Sequence, residues 1–143
     1  MTSTSGGCHC GAIEVAFELG GRPEDAEVRA CDCSFCRAHG ARTASDPGGL
    51  VRLRAREPAA LTRYRFAHGK TDFIICGRCG VFVAAVVEAP DGRRVAVVNV
   101  NALAERARFA RDAAPVHYGA ETADERLARR LSRWTPAVWE PAD

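Results

Sequence analysis

Seven cysteines in a chain of 143 residues limit this sequence more than any other feature. They stand at Cys8, Cys10, Cys31, Cys33, Cys36, Cys76 and Cys79. An odd number cannot all pair within one chain. Residues 1–7 are polar, with no basic region followed by an apolar one, so no secretory signal is expected. The expected compartment is the cytoplasm. Thiols stay reduced there, and clustered cysteines read as metal ligands or catalytic groups rather than as a disulfide framework.

The bulk numbers narrow the class further. A hydrophobic fraction of 47% and a charged fraction of 27% suit one globular domain over residues 1–143. The net charge of +2 gives no field strong enough to point to nucleic acid or an anionic membrane. The apolar run at 81–87 is far too short to span a bilayer. Lys70 is the only lysine, so the positive charge is almost all guanidinium, which suits planar recognition of carboxylates.

Hydropathy patterning predicts a mainly β chain. In residues 12–19, Ile13, Val15, Phe17 and Leu19 alternate with Glu14, Ala16 and Glu18, the period of a half-buried strand. A short strand is expected at 26–30, then a turn of helix at 37–42. Further strands are expected at 50–54, 61–66, 71–76, 81–88 and 94–100, with turn signals at His68-Gly69 and Asp91-Gly92. Residues 103–108 read as a short helix. Thr122 and Glu125 have capping-box spacing, and Leu127 with Leu131 form an i, i+4 pair, which predicts a helix over 123–132. Trp134 and Trp139 are expected to pack a core edge.

The cysteines split most simply as four plus three. Cys10-Gly11 and Cys79-Gly80 both end their motifs in Cys-Gly, whereas the central C-x-C-x-x-C run ends in Cys36-Arg37. Glycine placement thus groups Cys8, Cys10, Cys76 and Cys79. Four thiolates close a structural zinc tetrahedron. Cys31, Cys33 and Cys36 cannot close one alone, and water, an outside thiol or His39 could take the fourth position. Other partitions stay open from spacing. Cys33 and Cys36 could join Cys76 and Cys79 in a ribbon-type site. A redox C-x-x-C belongs at a helix start within a βαβ unit, which the strand reading here does not supply. The spacing matches neither common iron–sulfur run.

Gly7-Cys8-His9-Cys10-Gly11, then Cys31-x-Cys33-Ser34-x-Cys36-Arg37-x-x-Gly40, then Cys76-x-x-Cys79-Gly80 resembles a known family. It is the glutathione-dependent formaldehyde-activating family, whose domain also occurs in centromere protein V. The resemblance runs over residues 7 to about 100. It implies a β-tent type of antiparallel sheet with one or two short helices and two zinc sites. Cys8, Cys10, Cys76 and Cys79 would hold the structural zinc, and Cys31, Cys33 and Cys36 the catalytic one. The reaction implied is addition of glutathione thiol to formaldehyde, giving S-hydroxymethylglutathione, or its reverse as a carbon–sulfur lyase. The implied partner is a small thiol–aldehyde adduct.

Arg37, His39 and Arg42 are the basic residues nearest the three-cysteine run, and are candidates to hold the carboxylates of glutathione as co-substrate. His9 could support the first knuckle. His39 and His117 are candidates for the general base. A second functional class is a non-catalytic zinc-stabilised scaffold, with Arg52, Arg54, Arg56, Arg63 and Arg65 facing a protein or other acidic partner.

Overall fold

A computed structural model describes residues 1–141. In chain order its elements are β1 (Thr2–Gly7), β2 (Ile13–Leu19), β3 (Arg29–Cys31), α1 (Ser34–His39), β4 (Thr43–Ala44) and β5 (Leu50–Ala55). They continue with β6 (Leu61–Tyr64), β7 (Thr71–Cys76), β8 (Phe82–Glu88), β9 (Arg94–Asn99), β10 (Ala114–Val116), α2 (Ala123–Arg133) and β11 (Thr135–Trp139). The architecture is mainly antiparallel β, as the patterning and the resemblance both predicted.

One wing of the sheet is β1-β2-β5, and the other carries β6 to β9 together with β4, β3 and β10. β11 stitches the two wings. It runs parallel to β5 through Ala137↔Val51 and Trp139↔Leu53, then antiparallel to β9 through Thr135↔Ala96. The two wings bury different patterns. β2 is covered on one face: Ile13, Val15, Phe17 and Leu19 are buried, while Glu14, Ala16 and Glu18 are only half-covered. β8 is covered on both faces, so six of its residues in a row are buried. Ala84 and Val86 join the core shared with Ile13, Val15 and Phe17. Phe82, Ala85 and Val87 face a second core with Phe73, Val95, Val97 and Trp134. Two-sided burial explains why 81–87 reads as a continuous apolar run instead of an alternation.

The second core is where α1 and α2 dock. Cys36 and Ala41 from the α1 region belong to it, and Leu127 and Leu131 of α2 pack against it. The capping box of α2 is complete: the Glu125 amide donates to Thr122 Oγ1 at 3.1 Å, and the Thr122 amide donates to Glu125 Oε1 at 2.9 Å. Trp134 and Trp139 are both buried.

Several local expectations are corrected. The strand placed at 26–30 lies at Arg29–Cys31, in register with β10, which carries no alternation of its own. The helix placed at 37–42 is α1, which begins three residues earlier, because Cys33 caps it. The helix placed at 103–108 is instead two single turns, Val100–Ala102 and Arg106–Arg108. β1 has no hydrophobic pattern at all. Its ladder to β2 specifies it, with Thr4 buried and donating to the Phe17 carbonyl at 2.9 Å. Gly6 sits so close to another segment that a Cβ there would lie 2.1 Å from the Ala102 oxygen. No helix among the described residues is long and apolar enough to cross a membrane.

Candidate metal centres and the adjoining cavity

The seven sulfurs gather into two groups, and within each group they all lie within 4.8 Å of one another. The first group is Cys8, Cys10, Cys76 and Cys79. Cys8 and Cys10 sit in the turn from β1 to β2, and Cys76 and Cys79 in the turn from β7 to β8. The cluster therefore ties the two wings together at one end. Cys8 and Cys76 are buried, Cys10 is exposed and Cys79 lies between.

The geometry fits a metal and not a disulfide. Cys8 and Cys10 sulfurs are 3.7 Å apart, and Cys10 and Cys76 sulfurs 3.6 Å. A disulfide needs about 2.05 Å. Four sulfurs each about 2.3 Å from a tetrahedral zinc would stand roughly 3.8 Å apart. Backbone amides point at the same sulfurs: Ile13 N–H donates to Cys8 at 3.2 Å, and Arg78 and Cys79 N–H donate to Cys76 at 3.4 Å. Such donors support the negative charge of bound thiolates. At Cys79, burial pushes the thiol up, but amide donation from Cys10 and Val81 outweighs it and brings the value down to about 6.

The second group, Cys31, Cys33 and Cys36, is built differently. Cys31 ends β3 and Cys33 is the N-cap of α1. The Cys36 amide donates to Cys33 Sγ at 3.3 Å, so the sulfur takes the place a serine oxygen usually holds in a cap. Gly40, in the left-handed conformation at φ 57°, ends the helix after six residues. The C-x-x-C of Cys33 and Cys36 thus does stand at a helix start, contrary to expectation. The strands that α1 links are antiparallel, through Arg29↔Thr43, so the setting is still not a βαβ unit. The ribbon-type grouping of Cys33 and Cys36 with Cys76 and Cys79 is absent. Cys76 packs in the core between the wings, and Cys36 in the second core on the other face. Hydrogen bonding from Cys36 pulls Cys31 down to about 5, while the same contact pushes Cys36 up.

The three-thiol group opens onto a cavity of about 900 Å³. Its apolar floor includes Phe66, Phe73, Phe82 and Trp134. Asp32 and His117 line it beside the thiols, with His117 Nδ1 2.7 Å from Asp32 Oδ2. β10 sets this distance, because Val116 is in register with Cys31 and its carbonyl accepts from the Asp32 amide at 3.1 Å. Arg29, Arg37, Arg126, Arg129 and Arg130 complete the wall.

The basic candidates are distributed as follows. Arg37 lines the cavity. The His39 ring packs on Phe35 at 4.6 Å and on Phe82 at 5.6 Å and does not line the cavity. The Arg42 guanidinium donates to the Phe109 carbonyl at 2.7 Å and so fastens a loop. His9 is exposed in its knuckle. The arginine run on the strands is largely engaged. Arg52 lies 3.2 Å from Glu140, Arg56 3.5 Å from Glu14 and Arg65 2.6 Å from Asp72. Arg63 also reaches Asp72, at 3.8 Å, and lies over Trp139. The α2 arginines escaped the sequence reading, although 126, 129 and 130 share one helical face by their i, i+3, i+4 spacing.

These observations meet what is known of other proteins. Residues 3–118 match the family model of the glutathione-dependent formaldehyde-activating enzyme. A crystal structure of a Rhodobacter sphaeroides protein is similar in fold, with a TM-score of 0.56 and 31% sequence identity. That similarity covers 78% of this chain and 99% of the other. No curated protein matches the chain. With the match running through both cysteine clusters, the chain belongs to the glutathione-dependent formaldehyde-activating enzyme family.

Proposed function

We propose that this protein is a zinc-dependent carbon–sulfur lyase or synthase, acting in the cytoplasm on an adduct of glutathione with formaldehyde or on a close analogue. The observation that carries the reading is a three-thiol cluster, one ligand short of a tetrahedron, at the wall of a cavity large enough for such an adduct. Cys8, Cys10, Cys76 and Cys79 hold a second, structural zinc. Family membership supports the glutathione and formaldehyde theme.

In the forward direction a carbon–sulfur bond forms as the carbonyl π bond breaks. The thiol proton finishes on the new hydroxyl oxygen, so no oxidant or reductant is consumed. Zinc on Cys31, Cys33 and Cys36 would supply Lewis acidity and an affinity for thiolate. The protein's own groups handle the proton. The Asp32 carboxylate favours the His117 tautomer with its proton on Nδ1, which leaves Nε2 free to accept the thiol proton and return it to oxygen. Gly119 keeps space for that ring, since a Cβ there would lie 3.0 Å from His117 Cε1. Phe66, Phe73 and Phe82 exclude water from one side of the cavity. Arg37 draws a substrate carboxylate toward the thiols.

The test is metal content together with turnover. Anaerobically purified protein should carry two zincs per chain and accelerate exchange between formaldehyde and its glutathione adduct, followed by exchange NMR. Two bound zincs with no acceleration for any aldehyde tested would overturn the catalytic reading.

A further inference from the structure

The cavity wall opposite in chemistry to the thiols is built by α2, which lies outside residues 3–118 matched by the family model. Arg126, Arg129 and Arg130 come from this helix and line the cavity. Glu121 is the carboxylate that pairs with them. It lies 3.4 Å from Arg126 Nε and 2.7 Å from Arg129 Nε, so one negative charge is shared by two guanidinium groups. Arg130 donates to Thr71 Oγ1, and its buried Nε has no hydrogen-bond partner among the described residues. Arg29, on β3, is also buried, and its guanidinium donates to the neutral Ser45 hydroxyl at 2.5 Å. Among the lining residues the sole carboxylate is Asp32, which His117 engages.

Five guanidinium groups against Asp32, the shared Glu121 and the single net negative charge of a zinc on three thiolates leave the cavity positive where water is partly excluded. Desolvated cations without counter-charge are costly to fold, and a bound anion offsets that cost. Burial already pulls Arg130 down to about 10. The guanidinium planes are also held in place. Arg129 lies 3.5 Å over the Tyr118 ring and Arg130 4.6 Å over Trp134. Stacked, oriented guanidinium groups suit paired recognition of planar carboxylates. The same cavity is lined by Phe66, Phe73 and Phe82.

We infer that the α2 wall, which lies beyond the family match, is an anion-recognition subsite that holds a carboxylate-bearing part of the molecule handled at the three-thiol centre. This deepens the lyase reading and rests on it for the sulfur, but the anion subsite is testable without any thiol. The probe is benzene-1,3-dicarboxylate, with benzene-1,3-dicarboxamide as its neutral match, titrated calorimetrically into the zinc-loaded full chain.

The dicarboxylate should bind at least about tenfold tighter than the diamide, a difference of about 1.4 kcal/mol. Its affinity should fall with added salt while that of the diamide does not. Arg126→Gln with Arg129→Gln should abolish the preference. Arg129→Lys should keep part of it, and Arg52→Gln, whose guanidinium pairs with Glu140 away from the cavity, should leave it unchanged. Equal binding of acid and amide, or an acid preference that survives loss of both arginines, would overturn the subsite. So would a preference lost in Cys33→Ser but kept in the arginine pair, because the anion would then sit at the thiols. If the double variant fails to fold, the salt dependence in the unaltered chain decides in the same way. Absence of formaldehyde turnover with the acid preference intact would remove the lyase reading and leave the subsite standing.

Discussion

The four-thiol and three-thiol clusters use the same ligand atom and lie in one sheet, yet they are built for opposite ends. Cys8, Cys10, Cys76 and Cys79 come from two turns far apart in sequence, and their closure pins β1 and β2 to β7 and β8. None of these four cysteines lines the large cavity. Cys31, Cys33 and Cys36 come from six consecutive residues, so they close no long loop and constrain little of the fold. They face an open, charged space instead. Sequence separation decides how much folding energy a cross-link can deliver, and ligand count decides whether a position remains for chemistry.

The comparison breaks first under loss of a thiol. Cys76→Ser should abolish the native fold, because binding a structural zinc is worth about 10–16 kcal/mol and whole-domain stability is only about 5–15 kcal/mol. Loss of dispersed amide signals in a two-dimensional NMR spectrum is the expected outcome. A well-folded Cys76→Ser protein would show that the sheet does not depend on that cluster.

Cys33→Ser should do the reverse. Serine keeps the α1 cap, so thermal denaturation should change by only a few degrees. Turnover should fall by more than about 100-fold, beyond the 10–100-fold typical of losing a group that only orients a ligand. His117→Gln comes next. Metal content should hold at two zincs per chain, and kcat should drop about 100-fold with KM nearly unchanged, as for loss of a proton-transfer group. A change confined to KM would make His117 a binding residue.

The smallest effect concerns the clamp of α2. Hydrogen bonding from Arg129 holds the Glu121 carboxyl below its ordinary 4.5. A lowered folded value means stability that is present above the unfolded pKa and lost as pH falls through the folded one. Glu121→Gln should therefore cost about 1–2 kcal/mol at neutral pH. Its stability deficit relative to the unaltered chain should shrink as the pH drops below 4.5. A deficit independent of pH would mean that Glu121 acts by packing alone. Since the comparison is between two chains with the same thiols, metal loss in acid cancels.

Legibility from the sequence followed what each segment must bury. β2 shows its alternation because one face is wet, and β8 shows an apolar run because neither is. β1, Thr-Ser-Thr-Ser-Gly-Gly, shows nothing, since its backbone ladder to β2 carries no side-chain signature. β10 and β11 were missed for a similar reason. Each is short, each holds a proline, and each is placed by pairing with a strand laid down much earlier. In the site, the glycine after Cys10 and Cys79 was enough to suggest which thiols belong together. His117 could be named as a candidate base, but nothing local marked its partner Asp32, 85 residues away.

The sequence by itself determined the ligand chemistry: seven thiols, their order, and the one-ligand deficit of the central run. It also determined the mainly β character, because periodicity and turn residues are local properties of the chain. The tertiary structure alone decided the face of the sheet on which each cluster sits. It also decided which basic residues face the open one. Arg37, Arg126, Arg129 and Arg130 line the cavity, whereas Arg42 holds a loop and Arg52 and Arg56 pair with glutamates. Guanidinium groups look alike in a sequence. Their roles separate only when folding fixes which of them stands at the cavity and which is spent elsewhere.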